Sequence, residues 1–427
     1  MSGNAPVNPK REEYEIMQEI NMEASIQKFS KYLNTYLSTY KMNLPVIRHI
    51  VLLVLFNTLS VYAQNEYPDV LRFADSARHW YRIFDDDRVI EPVPDQPRYN
   101  ESDYIQIADN ILLFQKTNGG WAKNYDMQAI LNQDQINAVK ESKQHSNTTF
   151  DNGATHGQIS YLAEVYSRTN IEKYKVGCIK GIEFTLKAQY DNGGWPQFSP
   201  DTSGYRKHIT FNDNAMTGIM NMFHKIVTGD LDYCFVKGDL LDKIKIAYKL
   251  GIECILNCQI IEHNIKTAWC QQHDQKNFMP REARNFEKPS ICNRESVALT
   301  KFLMLIHNPS AEIINAVESS MKWYHDSEIH GIREEWIEAE EETFIYHKTK
   351  YDKIIIEDDK APRIWARFYE LGTHVPIFCG RDGIVRYSMS EIDRDRRTGY
   401  GWYVYDPEEL DTLYAEWKRK ITNTAHP

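Results

Sequence analysis

The sequence has little cysteine, no surplus of positive charge and no apolar run long enough to cross a membrane. Its seven cysteines in 427 residues (Cys178, Cys234, Cys254, Cys258, Cys270, Cys292 and Cys379) form no Cys-x-x-Cys pair and no ladder at zinc-ligand spacing. Cys254 and Cys258 lie four apart, on one face of an expected helix, which does not make them ligands. Seven is odd, so at least one thiol is free, and burial as an inert apolar side chain is the default for the rest. Lys and Arg total 50 against 60 Asp and Glu, a formal net charge of -10. That balance argues against a nucleic-acid partner, while one cationic cleft could still hold an anionic ligand. The apolar run Ile50–Phe56 is too short for a membrane span.

What is present describes a packed protein with an address at its N-terminus. A hydrophobic share of 42% excludes wholesale disorder, and the length allows one large domain or two ordinary ones. Aromatics reach 12%, with 26 Tyr and 9 Trp, which suits carbohydrate platforms as well as core packing. Residues 42–63 run from a short basic region through that apolar stretch to Val61-Tyr62-Ala63, the pattern of a cleaved secretory signal. The expectation is that Met42 is the true start, that 1–41 is an extension, and that the mature chain begins near Gln64. The protein would then be secreted or periplasmic. A cytoplasmic chain with one buried apolar segment is the alternative.

A pattern of three runs through the middle. Gln115-Lys-Thr-Asn-Gly-Gly-Trp121 returns as Gln189-Tyr-Asp-Asn-Gly-Gly-Trp195, and a degraded copy ends at Trp269, so the tryptophans recur at equal steps of 74 residues. Each copy follows a run with helical spacing (Ile105, Ala108, Ile111, Leu112; Ile179, Ile182, Leu186; Ile252, Ile255, Leu256). A second amphipathic stripe follows each Trp, opening at Asp151, Asp213 and Glu295. No helical hairpin buries a face alone; three arranged about an axis bury a common core and bring equivalent ends to one rim. The fold expected is therefore mainly α, an (α/α)3 toroid of helical hairpins over 100–325, with 64–99 as lead-in. From 326 to 427, short β-type runs separated by charged turns, with Gly380-Arg-Asp-Gly383 as a hairpin turn, predict a small antiparallel β region completing the cleft.

Asp151 and Asp213 each open a helix and each precede an Asn. Singly, each reads as an N-cap. Together they place two Asp-Asn pairs on one rim, with Asn214 beside Asp213, and offer the hard oxygens that calcium prefers. A transition-metal site is not indicated, since His273 is the lone nearby imidazole. Cations gather in the same rim loops: Lys123 after the first Trp, Arg206 before the second Asp, and Arg281 and Arg284 before the third helix. Arg367 and Arg381 follow in the β region. Singly these read as surface ion pairs, such as Arg284–Glu287 or Arg381–Asp382. As a set beside carboxylates they suit an acidic ligand, because guanidinium pairs carboxylate bidentately.

Several segments resemble the family 10 polysaccharide lyases, the pectate lyases. They include Asn118-Gly-Gly-Trp-Ala-Lys-Asn124, Thr149-Phe-Asp-Asn-Gly-Ala-Thr155, His208-Ile-Thr-Phe-Asn-Asp-Asn-Ala-Met216, Ala283-Arg-Asn-Phe-Glu-Lys-Pro-Ser290 and Phe378-Cys-Gly-Arg-Asp-Gly383. The resemblance spans about 100–405 and implies an (α/α)3 toroid that cleaves polygalacturonate by calcium-assisted β-elimination. It implies Asp151 and Asp213 as the site carboxylates around Ca2+, Arg284 as Brønsted base, and Arg367 and Arg381 as substrate-binding arginines. Position alone adds Lys123, Arg206 and the Trp121 and Trp195 platforms as substrate contacts. The expected partner is an acidic polysaccharide, pectin or polygalacturonate, bound by a monomer.

Elimination removes the C5 proton beside the C6 carboxylate and expels the C4 oxygen, so charge develops on an enolate that cationic groups can stabilise. Free Arg has a pKa of about 12.5–13.8, so an Arg base implies an alkaline optimum and surroundings that disfavour its charge. Two alternatives keep parts of this picture. An inverting hydrolase would use Asp151 and Asp213 as acid and base without calcium, and a pectin-binding protein would use the tryptophans and arginines as a lectin-like cleft.

Overall fold

A computed structural model describes residues 67–85 and 87–424; the expected signal segment and the extension before it lie outside the described residues. Eleven α-helices fall among them: α1 (Ala74–Arg82), α2 (Tyr104–Phe114), α3 (Gln133–Glu141), α4 (His156–Thr169), α5 (Glu172–Ala188), α6 (Ala215–Thr228), α7 (Gly238–Cys258), α8 (Asn293–Met304), α9 (Ala311–Asp326), α10 (Arg394–Gly399) and α11 (Leu410–Thr424). They form two layers. Helices α2, α5, α7 and α9 follow one another around the outside, and α4, α6 and α8 line the inside, with α11 packed on α8. This is the α/α toroid. Its inner helices carry fully buried apolar faces, such as Ile159, Leu162 and Val165 on α4 and Ile219, Met220 and Phe223 on α6. Left-handed residues after α4 and α6, Asn170 and Gly229, end these helices in the manner of αL caps.

The 74-residue repeat has a physical basis in its turns. Gln115 donates to the Gly119 carbonyl of its own turn and to Gly177 of the next outer helix. Gln189 does the same to Gly193 and Ala247, and Gln259 to Thr267 and Ala316. Each tryptophan indole donates at 2.8 Å to a carbonyl of the preceding outer helix: Trp121 to Ile111, Trp195 to Thr185, Trp269 to Ile255. Gly193 has φ +88, and a Cβ there would lie 2.0 Å from the Leu250 carbonyl oxygen. Only glycine fits where that turn meets the next helix. In the third copy a short hairpin replaces Asn-Gly-Gly: β2 (Ile261–Glu262) and β3 (Ile265–Lys266), turning through His263 and Asn264 at positive φ.

The β region is several two-stranded pairs rather than one small sheet. They comprise β1 (Ile209–Thr210) with β4 (Gln272–His273), β5 (Ile291–Cys292) with β9 (Phe368–Tyr369), and β8 (Trp365–Ala366) with β12 (Tyr403–Val404). Separate from these are β10 (Phe378–Cys379) with β11 (Val385–Arg386), and a long hairpin of β6 (Ile332–Thr343) and β7 (Lys348–Glu357). The Gly380–Gly383 turn does join β10 to β11. Residues 344–347 form the tip of the β6–β7 hairpin. The β5–β9 pair ties the C-terminal part to the start of α8 and so carries the arginines of that part to the rim.

Candidate active site

Two short turns supply the carboxylates. Asp151–Gly153 and Asn212–Asn214 are single 3-10 turns that pack against each other ahead of α4 and α6. Each holds non-glycine residues at positive φ: Asn152 at 52°, Asp213 at 48° and Asn214 at 59°. Such strain is retained where the surroundings over-determine the backbone, commonly at functional sites. Neither aspartate caps its helix through its side chain, so the N-cap reading is corrected. Asp151 is buried, with Oδ2 taken by the Lys123 ammonium and Oδ1 left without a hydrogen-bond partner. Burial works against the Lys123 charge, but Asp151 holds it above its ordinary pKa. Asp213 is pushed up to about 7, by burial first and then by the neighbouring Asp151 carboxylate. Asn214 is exposed beside it.

The guanidinium groups are wired to these turns through a buried polar network. Arg284 donates to Glu287 through Nε at 2.9 Å and Nη2 at 2.5 Å. Glu287 accepts from the Tyr400 hydroxyl at 2.8 Å. That hydroxyl accepts from Gln271, whose amide also donates to Asn212 at 2.8 Å. Asn212 in turn donates to Asp213 at 2.8 Å and accepts from Arg367 at 3.1 Å. Arg367 is buried, paired with Glu295 at 2.5 Å and lying over the Tyr400 ring at 4.6 Å. Arg284 is close enough to Lys123 and Asp213 for their charges to act across the gap. So Asp151, Asp213, Lys123, Arg284 and Arg367 share one cleft.

The remaining predicted residues divide. Arg381 reaches the same cleft, its guanidinium over Phe286 at 5.8 Å and held by Asp395. The expected Arg381–Asp382 pair does not form, because Asp382 is taken by Arg386 at 2.7 Å; Arg284–Glu287 does form. Arg206 lies over the Phe198 ring at 4.5 Å, with Lys123 over the same ring at 5.4 Å, but its charge is spent on Asp201 and Asp87. Trp121 and Trp195 are corrected outright. Both are fully buried with their indole N–H groups bonded, so neither is a platform for sugar. His273 is also spent, its ring nitrogens on Phe278 and Cys270 backbone and its pKa pushed down to about 4 by burial. The seven thiols are free, six of them buried.

Sequence reasoning passed over Arg396, Tyr400 and Gln271. Arg396 is buried over Phe286 at 4.3 Å, with Nε lacking a hydrogen-bond partner and no carboxylate of its own within ion-pair distance among the described residues. Burial, and then the charge of Arg381, push it down to about 10.

Calcium suits the donors present. Two carboxylates carried on facing turns, one with an orphaned buried oxygen, are hard ligands of the type it takes. No group of three or more His, Cys, Asp and Glu able to hold a metal occurs among the described residues. A cation held by Asp151 and Asp213 would draw its other oxygens from ligand and water, since calcium takes six to eight.

A family model described as pectic acid lyase matches residues 115–410. The curated proteins contain no match. Among solved structures, a family 10 polysaccharide lyase from Cellvibrio cellulosa is 28% identical with a TM-score of 0.62, covering 73% of this chain and 91% of its own. A mutant of that lyase in complex with trigalacturonic acid is also 28% identical, with a TM-score of 0.61, over 73% of this chain and 92% of its own.

Proposed function

This chain belongs to the pectic acid lyase family and is a polysaccharide lyase, and from that premise we propose that it cleaves the α-1,4 bonds of polygalacturonate by calcium-assisted β-elimination. The observation that carries the reading is the unbroken network from Arg284 through Glu287, Tyr400, Gln271 and Asn212 to Asp213 and Arg367. It fixes carboxylates and guanidiniums of distant sequence origin around one cleft, and a polyuronide needs both. The bound trigalacturonic acid of the similar Cellvibrio lyase supports this choice of substrate.

In the reaction Arg367 and Arg381 orient a galacturonate through its C6 carboxylate, and Lys123 adds a third cation beside Asp151. Asp151 and Asp213 would hold Ca2+, with Asn214 beside them. Bound there, the cation supplies positive charge that stabilises the carboxylate as it becomes an enolate and acidifies C5–H. Arg284, half-exposed beside Glu287 and neutral only at high pH, removes the C5 proton, and the C4 oxygen leaves to give a 4,5-unsaturated end. Water protonates that oxygen. Arg206 and Phe198 extend the cleft beyond Lys123.

The base is the step where a specific observation supports a second candidate. Glu287 holds Arg284 well above its ordinary pKa in spite of burial, which keeps it charged. Arg396, over the same Phe286 and Tyr400 rings at 4.3 and 5.3 Å, is the guanidinium whose charge is disfavoured. A base must be neutral to act, so an Arg base in this cleft requires high pH.

Secretion or periplasmic export through residues 42–63, and action as a monomer, complete the proposal. N-terminal sequencing of the native protein tests the first, and an intact residue 1 would defeat it. For the reaction, polygalacturonate is offered with calcium or with chelator. The expected result is calcium-dependent ultraviolet absorbance of an unsaturated uronide; reducing ends without absorbance would indicate hydrolysis.

A further inference from the structure

The lead-in helix α1 lies against the turn that carries Asp151. It and the single 3-10 turn before it, Leu71–Phe73, both pack on Asp151–Gly153. A Cβ at Gly153, where φ is +76, would lie 2.9 Å from the Arg72 carbonyl oxygen, so the two backbones meet with no room for a side chain. The buried Ser76 hydroxyl donates to the Asn152 carbonyl at 2.9 Å and accepts from the Asn124 backbone N–H at 3.4 Å. Helix α1 is also near enough to the second turn for the Asp75 charge to act on Asp213.

The Asn152 carboxamide is fixed from the same side. Its Nδ2 donates to Asn124 Oδ1 at 2.8 Å and to His79 Nδ1 at 3.2 Å, which uses both amide hydrogens. Asn124 gives its own Nδ2 to Asp85 at 2.6 Å, and a carboxylate there can only accept. Asn124 must therefore present oxygen to Asn152, and Asn152 must present nitrogen to Asn124. His79 Nδ1 is then an acceptor. The Asp75 carboxylate stands 3.7 Å from the same Nδ1, too far for a hydrogen bond, and is taken by Arg78 at 2.5 Å. Asn152 is thus gripped at its carbonyl by Ser76 and at its amide by His79 and Asn124, and it sits at φ 52. A residue other than glycine keeps that conformation only where its surroundings impose it.

We propose that His79 is a positioning residue for the cation site: from α1, together with Ser76, it locks Asn152 in the left-handed conformation that holds the Asp151 carboxylate beside Asp213. The inference rests on the calcium part of the proposed function and adds to it a helix outside the rim loops. His79 acts through Asn152 and not on the substrate. Without its acceptor, one amide hydrogen of the buried Asn152 is left unpaired. That cost is relieved when the carboxamide turns or the backbone leaves φ 52, and either change shifts Asp151 against the facing turn.

The test titrates calcium by calorimetry into the full chain, alone and with saturating trigalacturonate at a pH where turnover is slow. Thermal unfolding in chelator is followed beside it. His79→Leu removes the acceptor, His79→Asn keeps one near the place of Nδ1, and Ser76→Ala removes the second grip. His79→Leu is expected to bind calcium about 10-fold more weakly, the loss usual for an outer partner of a metal site, and Ser76→Ala several-fold more weakly. His79→Asn is expected to recover most of the affinity. On an Asn152→Ala background, His79→Leu is expected to cost nothing further, because the residue it acts through is gone. Unchanged calcium affinity in Ser76→Ala and in His79→Leu, if the latter folds, overturns the proposal whatever happens to the unfolding temperature. So do losses that add in the double variant, or an equal loss in His79→Leu and His79→Asn. If the native protein takes up no calcium in either titration, the calcium reading itself falls, and the positioning role with it.

Discussion

Arg284 and Glu287 form a bidentate ion pair, Nε to Oε2 at 2.9 Å and Nη2 to Oε1 at 2.5 Å, in which the carboxylate is buried and the guanidinium faces the cleft. Burial alone would raise the Glu287 pKa, yet Arg284 brings it down to about 2. The folded pKa lies below the ordinary 4.5, so the pair's stabilisation is complete above 4.5 and lost as pH falls toward 2. The same pair opposes deprotonation of Arg284. Glu287→Gln should therefore move the alkaline rise of the pH–activity profile to lower pH, with a reduced maximum because Arg284 loses its anchor. A rise at unchanged pH would show that Arg284 is not the group losing the proton.

Asp213 carries the opposite sign. Its folded pKa of about 7 lies above the ordinary 3.8, so without a cation the folded state holds a proton that the unfolded chain has released. Stability of the calcium-free protein should fall between pH 4 and 7 from this source, by about 1–4 kcal/mol. In Asp213→Asn this part of the slope should vanish. Thermal unfolding in chelator at pH 4, 5.5 and 7, for both proteins, gives the comparison. Parallel curves would mean that Asp213 is not buried beside a like charge.

Much of the architecture was legible because the repeat is written in residues with no freedom to vary locally. Gln, Gly and Trp recur since each turn needs a side-chain amide to stitch two outer helices, a backbone that fits against the next helix, and an indole to fill the gap. Their function was not legible from spacing. A Trp after Asn-Gly-Gly reads alike whether it faces the rim or the core, and only the indole bonds to Ile111 and Thr185 settle which. The β6 strand went unread because Glu334, Glu335, Glu338 and Glu340 look like a solvated turn, although Trp336 and Ile337 sit among them in a paired strand. Arg396 went unread because it lies in a run of charges, Asp393-Arg-Asp-Arg-Arg397, where burial of one member leaves no mark on the sequence.

Trp195 separates the two readings of the aromatic repeat. Its ring is wholly buried, in edge contact with Phe223 at 5.9 Å and close under Gly251. Trp195→Ala should lose about 3–5 kcal/mol of stability, the cost of a large cavity. At a temperature where the variant stays folded, its KM for polygalacturonate should be near normal. A large rise in KM with unchanged denaturant midpoint would restore the platform role.

Glu295 positions Arg367 without facing substrate. It accepts from Arg367 on one oxygen and from the Cys292 thiol on the other, both at 2.5 Å, in a buried setting. Glu295→Gln leaves the guanidinium buried short of its counter-charge, at a cost of about 3–5 kcal/mol. KM for polygalacturonate should rise more than kcat falls, since the arginine loses its aim. An unchanged KM would place Arg367 outside the substrate contacts.

Arg284→Lys decides the base. Lysine keeps the charge near Glu287 but loses the fork that reaches Oε1 and Oε2 together, so its amine cannot occupy the same point over the cleft. If Arg284 removes the C5 proton, kcat should drop by about 100-fold or more, while trigalacturonate affinity, carried by Arg367, Arg381 and Lys123, largely survives. Near-normal turnover would take Arg284 out of the role. The next variant is then Arg396→Lys rather than a change at Arg281, because Arg281 is committed to Asp274 at 3.0 Å. Arg396 has no such partner among the described residues, and its pKa of about 10 places its neutral form within reach at alkaline pH. Loss of turnover on that change, with the pH rise moved in step, would transfer the proton abstraction to Arg396 and leave Arg284 as an electrostatic clamp on the developing enolate.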